Sequence, residues 1–474
     1  MQENIRLHIT SSFDGEFADE IDLRLIKTLR VLEGRREVWL AEVSATGRRV
    51  VAKKFLRGSK QRKESQKEIH GLNELRQRNV AGPSLLFVAN DEQEGIWVVA
   101  GFLEDAAELG DVFFRGEKSS SLDAALRCFA RTLLLHWRNG VDQTDAHYKN
   151  FLWNGQALYT IDVGSIRFNR REISARGRTK TLVRMCHKFT DEMWSVFLST
   201  YDGEARTDEE KQFASSLRTE AFCREMKKGR QLDVQRFWHK CQRNCTEFER
   251  IDKNGIMLLR SRTQGRALAD ALMHDPESLM SQGERLKSGN TCTVQRIEWG
   301  GSKYVLKRYN RKPLFYRVRH FFSTSRVLQS WANANVLNRL GIRTAEVIIA
   351  CEFRKFGLLD HGYIVMECVD GETMGSFMKQ PSLPMDVRGG YMTETVNLFE
   401  NLYQNRIVHG DMKAKNLLAE GGKLCLIDID GMKLFLSESR FCKLFEKDRR
   451  RFLKNWEDVP KLKADFEELL PTRR

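Results

Sequence analysis

Proline is scarce in this chain, with 7 among 474 residues, and no Pro-rich or Gly/Ser-rich stretch offers itself as a linker. Without a flexible tether, two closely packed halves joined by helix are expected. No uninterrupted apolar run is long enough to span a bilayer. The opening Met-Gln-Glu-Asn-Ile-Arg lacks the basic and apolar regions of a secretory signal, so a cytoplasmic location is expected. The ten cysteines (128, 186, 223, 241, 245, 292, 351, 368, 425 and 442) follow no framework spacing, which fits reduced thiols. His239-x-Cys241-x₃-Cys245 is half of a metal motif without its second pair, and reads as an incidental cluster on a helix.

What the chain does have is charge and size. The net charge is +15, which calls for an anionic partner or surface. Nucleic-acid binding would rest on that charge alone, and none is expected. Hydrophobic residues make up 41% and charged residues 30%, as in a globular protein with two or three domains.

One segment occurs twice. Asp145-Ala-His-Tyr-Lys-Asn150 leads to Ile161-Asp162, and 266 positions later Asp411-Met-Lys-Ala-Lys-Asn416 leads to Ile427-Asp428. Across the eighteen aligned positions, eight are identical: Asp145/Asp411, Lys149/Lys415, Asn150/Asn416, Leu152/Leu418, Gly155/Gly421, Leu158/Leu424, Ile161/Ile427 and Asp162/Asp428. Chance supplies roughly one such match. The repeat marks a duplicated structural unit.

Similar material precedes each copy. Alternating strands over 37–43 and 48–55, turned by Ala45-Thr-Gly47, are followed by a helix over 59–78, strands over 84–88 and 95–100, and a helix over 122–138. The second half repeats the order. Strands over 291–297 and 303–309 precede a helix over 325–340, strands over 345–350 and 362–367, and a helix over 392–404. Strands first and helices after, twice, predict an α+β chain of two tandem domains, each a small antiparallel sheet plus a helical lobe. The expected domains are 1–255 and 256–474, and a helix over 267–282 is a candidate connector.

His409-Gly-Asp411-Met-Lys413-Ala-Lys-Asn416, followed by Ile427-Asp428, is similar to the catalytic loop and metal-binding aspartate of protein-kinase-like phosphotransferases. The spacing suits the chemistry. Asp411 would accept or orient the proton of an attacking hydroxyl, while Asn416 turns back to Mg²⁺ and Asp428 holds the metal that bridges the phosphates of ATP. Lys413 would neutralise charge on the transferred group, and the strand lysine Lys307 would contact the α- and β-phosphates. The first half keeps Asp145, Asn150 and Asp162 but has Gln143 for the loop histidine and His147 for the lysine. Its strand lysine is Lys53 or Lys54, and Glu68 on the following helix fits the glutamate that pairs with it. The second half has no Glu between 323 and 340, leaving Gln329, Asn333 and Asn335 as the nearest polar candidates for Lys307.

Within that fold the chain resembles the lipopolysaccharide core kinases, the Kdo and heptose kinases. Three segments carry the likeness: Lys307-Arg-Tyr-Asn-Arg311, the run from Ser330 to Gly341-Ile-Arg-Thr344, and Ile427-Asp-Ile-Asp430 in place of Asp-Phe-Gly. The resemblance implies ATP- and Mg²⁺-dependent phosphorylation of an inner-core sugar, with a lipopolysaccharide core glycolipid as acceptor, on the cytoplasmic face of the inner membrane. The segment 303–326 fits peripheral contact with an anionic membrane surface. It holds Lys307, Arg308, Arg311, Lys312, Arg317, Arg319 and Arg326 interleaved with Phe315, Tyr316, Phe321 and Phe322. A solvated basic face with core aromatics accounts for it equally well. The other readings are a duplicated pseudokinase scaffold of glycolipid assembly, and a kinase acting on protein or a small molecule.

Overall fold

The computed structural model describes residues 3–14, 17–32, 34–56, 58–93, 95–115, 120–311, 313, 315 and 324–472. The chain divides into two compact units, Met1–Gly229 and Arg230–Arg474. The division falls inside the helix Glu220–Lys240. The 255/256 position falls in the turn of a hairpin, between strands Phe248–Lys253 and Ile256–Ser261, which pair along their full length within the second unit. Asn254 and Gly255 make that turn with φ of 53° and 77°, the left-handed pair that a two-residue hairpin requires.

In the first unit, six antiparallel strands close into a barrel. Their order is Glu3–Ser12, Glu20–Leu32, Arg36–Val43, Arg49–Phe55, Ile96–Gly101 and Leu85–Asn90, and the last pairs back to the first. Alternate side chains point inward, so Leu23, Ala41, Val50, Ala52, Phe87 and Val99 fill the interior. The helix Ser59–Gln77 lies against this sheet through Leu72 and Leu75, beside Phe55, Val88 and Val98. Four further helices, Ser120–Arg138, Ala175–Cys186, Asp191–Glu204 and Asp208–Ser216, surround a core that includes Phe129, Trp137, Phe197 and Tyr201.

The second unit opens with a seven-stranded antiparallel sheet. The order is Phe248–Lys253, Ile256–Ser261, Val347–Lys355, Leu358–Glu367, Ser302–Tyr309, Cys292–Trp299 and Glu284–Ser288. Ser302–Tyr309 therefore lies inside the sheet, with Lys307 opposite Val294 and Ile364. The helix Arg326–Arg339 starts at Ser325, whose hydroxyl accepts from Leu328 N. Helices Met385–Gln404, Glu438–Leu453 and Pro460–Leu469 complete the unit around Phe399, Phe445, Phe452 and Trp456.

The helix expected over 267–282 is two helices, Arg266–His274 and Pro276–Ser281, both inside the second unit. The residue before a proline is pushed out of the helical region, and Asp275 accordingly has φ −148° and ψ 84°. Both units are mixed α+β, sheet first and helices after. Among the described residues no helix is long and apolar enough to cross a membrane.

Candidate active site

In both units the repeated segment folds through the same hydrogen bonds. Asn150 Nδ2 donates to Asp145 O and Asn416 Nδ2 to Asp411 O, each at 2.8 Å. The backbone amide of Ile161 donates to Asn150 O at 2.8 Å, and that of Ile427 to Asn416 O at 2.9 Å. A short hairpin follows in each, Phe151–Trp153 with Leu158–Thr160 and Leu417–Glu420 with Lys423–Leu426. Beyond each hairpin the chain turns through a left-handed aspartate, Asp162 at φ 59° and Asp428 at φ 58°. An ordinary side chain pays to adopt this conformation, and Asp is among the residues that tolerate it best.

In the second unit, Lys307 donates to Asp428 Oδ1 at 2.7 Å and approaches Asp430 Oδ2 at 3.4 Å. Arg326 donates to the same Asp430 oxygen at 2.6 Å. Asp430 is 6% exposed, so its charge is held by these two cations. This answers the missing helix glutamate: Lys307 is positioned by Asp428 and by Asp430, two residues further on. None of the helix amides pairs with it. Asn333 is buried and donates to the carbonyls of Ile429 (2.8 Å) and Met432 (3.3 Å), clasping the turn that carries both aspartates. Gln329 and Asn335 donate to Thr324 O and Trp331 O. Burial works against the Lys307 ammonium, but Tyr309 and the two aspartates outweigh it and raise its pKa. Burial likewise pushes Asp428 up, and Lys307 more than reverses this, leaving it below the usual carboxylate range.

Asp411 stands at the other end of the loop. Lys413 Nζ lies 2.8 Å from its Oδ1, and Arg451 Nε lies 3.7 Å from the same oxygen. Burial would raise the Asp411 carboxyl, while its hydrogen bond and charge pairing with Lys413, together with Arg451 and His409, bring it below its ordinary value. The His409 ring meets Ile427 O through Nε2 at 3.1 Å, and its Nδ1 accepts from Asp411 N at 3.4 Å. Buried Asp448 accepts from the amides of Gly410 (2.8 Å) and Met412 (3.5 Å), fixing the loop from the helix Glu438–Leu453. Gly410 has φ 88°, and a Cβ there would meet Gly431 O at 3.0 Å, so the His-Gly-Asp step needs its glycine.

In the first unit, Lys53 pairs with buried Glu68 and lies 3.8 Å from Asp162 Oδ1. Neighbouring residues of a strand face opposite ways. Lys54 accordingly turns to Asp91 at 2.8 Å, with its ammonium over Trp97, and is not brought together with the others. Asp91 is buried and also accepts from Gly95 N and Trp97 Nε1. Gly71, one turn on from Glu68, lets the helix close on the Asp162 turn, where a Cβ would meet Val163 at 2.7 Å. Asp145 pairs with Arg184 at 2.6 Å. Gln143, in place of the loop histidine, is buried, and neither polar atom of its side chain has a partner among the described residues.

Several residues of these clusters were not assigned a role from the sequence. Asp430 is visible there only as the last letter of Ile-Asp-Ile-Asp. Arg326 lies at the end of the basic segment, and Asp448 is one of two acidic residues in the run 440–454. Arg30, Arg36 and Arg184 gave no signal at all. Of the interleaved segment, Phe315 is 79% exposed and Arg311 pairs with Asp360 at 2.8 Å. Lys312, Tyr316, Arg317, Arg319, Phe321 and Phe322 lie outside the described residues.

Residues 271–472 match the model of the lipopolysaccharide kinase (Kdo/WaaP) family. The matched segment is a kinase, a phosphotransferase. Among solved structures, the crystal structure of the BubR1 kinase domain is similar at 12% identity and a TM-score of 0.30, over 47% of this chain and 88% of that one.

Proposed function

We propose that this chain, whose residues 271–472 fall in the lipopolysaccharide kinase family, is an ATP- and Mg²⁺-dependent kinase that phosphorylates a sugar of the lipopolysaccharide inner core, a heptose or Kdo, at the cytoplasmic face of the inner membrane. The observation that carries this reading is that one family match spans Lys307, the 409–416 loop and Asp428 together. In this reading the two units are tandem kinase-like domains, and the second performs the transfer. The repeated hydrogen bonds around Asn150 and Asn416 support the duplication.

The residues present fit the metal. Asn416 uses its Nδ2 on Asp411 O, which leaves its Oδ1 as an oxygen donor close in sequence to the Asp428 turn. Among the described residues no group of three or more His, Cys, Asp or Glu could hold a metal ion by itself. A hard cation bound by one carboxylate and one amide oxygen, completed by phosphates and water, is the usual situation of Mg²⁺. Such an ion neutralises charge on the phosphate oxygens when bound.

The rest falls to the chain's own groups. Lys307, held in place by Asp430 and Asp428, offers its ammonium to the α- and β-phosphates. Asp411, kept ionised by Lys413 and Arg451, receives the proton of the acceptor hydroxyl. Lys413 stands 2.8 Å from Asp411, where charge on the transferred group would build. The basic segment 303–326, with exposed Phe315, supports peripheral contact with an anionic membrane where the glycolipid acceptor resides.

Mass spectrometry of core glycolipid from cells lacking the protein tests the assignment. Loss of one phosphate from the inner core is expected; an unchanged phosphate count would exclude this acceptor.

A further inference from the structure

Three cations surround the first unit's left-handed aspartate. Arg30 Nη1 is 4.0 Å from Asp162 Oδ2, while Arg36 Nη2 and Lys53 Nζ are 3.9 Å and 3.8 Å from Oδ1. The second unit is arranged differently. Among the described residues the ion-pair partner of Asp428 is Lys307, and the Arg326 guanidinium goes to Asp430 instead.

The difference bears on metal binding. Mg²⁺ takes oxygen ligands at about 2.0–2.1 Å. On Asp162 it would bring two positive charges within a few ångströms of three more, of which the lysine alone has a second carboxylate, Glu68, beside it. Asn150 has the same conformation as Asn416, but around Asp428 the charges of Lys307 and Arg326 are shared with the second carboxylate Asp430, whereas Arg30 and Arg36 meet Asp162 without one.

They do fit a chain of phosphates. A guanidinium keeps its charge at any working pH, and its forked donors match phosphate oxygens. Arg36 is held ready: its side chain is 15% exposed, its guanidinium lies 5.7 Å from the Phe55 ring centre, and its buried Nε has no partner among the described residues. Arg30 and Arg36 flank the connection between strands Glu20–Leu32 and Arg36–Val43. From that connection Arg35 reaches Glu64 on the helix Ser59–Gln77 at 2.6 Å. The same helix carries Glu68, which positions Lys53. Two arginines and a lysine thus converge on Asp162, with Glu68 as a second counter-ion for the lysine alone.

The geometry points to a metal-independent polyphosphate site in the first unit, in which Arg30, Arg36 and Lys53 take the phosphates of a nucleotide and Asp162 gives them up. The inference rests on the proposed kinase-like arrangement of that unit. A nucleotide held this way is a bound effector rather than a phosphate donor, because the cation that would prepare its terminal phosphate for transfer has no place beside Asp162. The unit would therefore sense nucleotide while the second unit consumes it.

The test uses the full chain carrying Lys307→Met and Asp428→Asn, which removes the second unit's phosphate and metal contacts. ATP and inorganic tripolyphosphate are titrated into it by calorimetry, once in EDTA and once in Mg²⁺. Binding is expected in EDTA and is not tightened by Mg²⁺. Adding Arg30→Glu, at an exposed position, or Arg36→Lys, which keeps the stem over Phe55, weakens it by about tenfold or more. Adding Asp162→Asn leaves it as tight or tighter, since the competing carboxylate is gone. ATP binding tighter than tripolyphosphate assigns the site to nucleotides, and equal affinity assigns it to the phosphate chain alone; both sustain a metal-independent polyphosphate site. Binding that requires Mg²⁺, disappears with Asp162→Asn, or ignores Arg30→Glu overturns it. The readout is binding without transfer, so its failure leaves the second unit's phosphotransfer standing, and the converse also holds.

Discussion

Lys307 is placed by residues far from it in sequence: Asp428 and Asp430 lie 121 and 123 positions away, and Arg326 shares Asp430 from 104 positions before it. Asp430 is the residue on which this arrangement depends, because its buried charge has two cationic partners. Asp430→Asn should lower stability by about 3–5 kcal/mol, the usual scale for breaking a buried ion pair. It should also slow phosphotransfer by letting Lys307 shift. Denaturant melts and initial rates on the same preparation check this; an unchanged midpoint with an unchanged rate would show that Asp430 does not position Lys307. The sequence displayed Asp430 and Arg326 but gave neither a partner, since pairing across a hundred residues is decided by tertiary packing. The choice between Lys53 and Lys54 was undecidable for a related reason. Alternation says that they face opposite sides of their strand, but not which side meets the helix bearing Glu68. Asp91, Lys54's partner, offered no pattern by which to find it.

Elements with strong local signals were legible, and those that depend on distant pairing were not. The strands Arg49–Phe55 and Ser302–Tyr309 and the helices Ser59–Gln77 and Arg326–Arg339 lie within a residue or two of the spans read from the sequence. The strand Glu3–Ser12 escaped notice because its role, closing the barrel against both Glu20–Leu32 and Leu85–Asn90, is long-range. The split at Asp275-Pro276 is legible in the proline itself, which pushes the residue before it out of the helix. The helix Asp208–Ser216 also went unread, although Thr207 and Glu210 form a reciprocal capping box. Glu210 is buried and accepts from Arg138 at 2.7 and 2.9 Å. That hydrogen bond, against the cost of burial and with help from the Arg206 and Thr207 amides, brings its pKa down to about 2. A carboxyl whose folded pKa is depressed stabilises the fold above its unfolded value of about 4.3, and loses that contribution as pH falls towards 2. Glu210→Gln should therefore cost roughly 3 kcal/mol at pH 7 and progressively less below pH 4. Thermal melts of both proteins across that range check it, and a gap that stays constant from pH 7 to pH 3 contradicts it.

Across the whole molecule, the duplication was the clearest signal in the sequence, and the two copies fold through the same local hydrogen bonds. Their surroundings differ. One copy has its lysine between two aspartates, and the other has its aspartate among three cations. That contrast was not legible, because Arg30 and Arg36 belong to strands with no motif of their own. It underlies the division of labour proposed above, with transfer in the second unit and binding in the first. The most direct test is transfer of label from γ-phosphate-labelled ATP to purified core glycolipid by the full-length protein in Mg²⁺, with Asp411→Asn alongside. Labelled glycolipid is expected with the wild-type chain, and a loss of about 10²–10⁴-fold in the variant at unchanged stability. Transfer by Asp411→Asn at the wild-type rate, or no label entering the glycolipid, would contradict it.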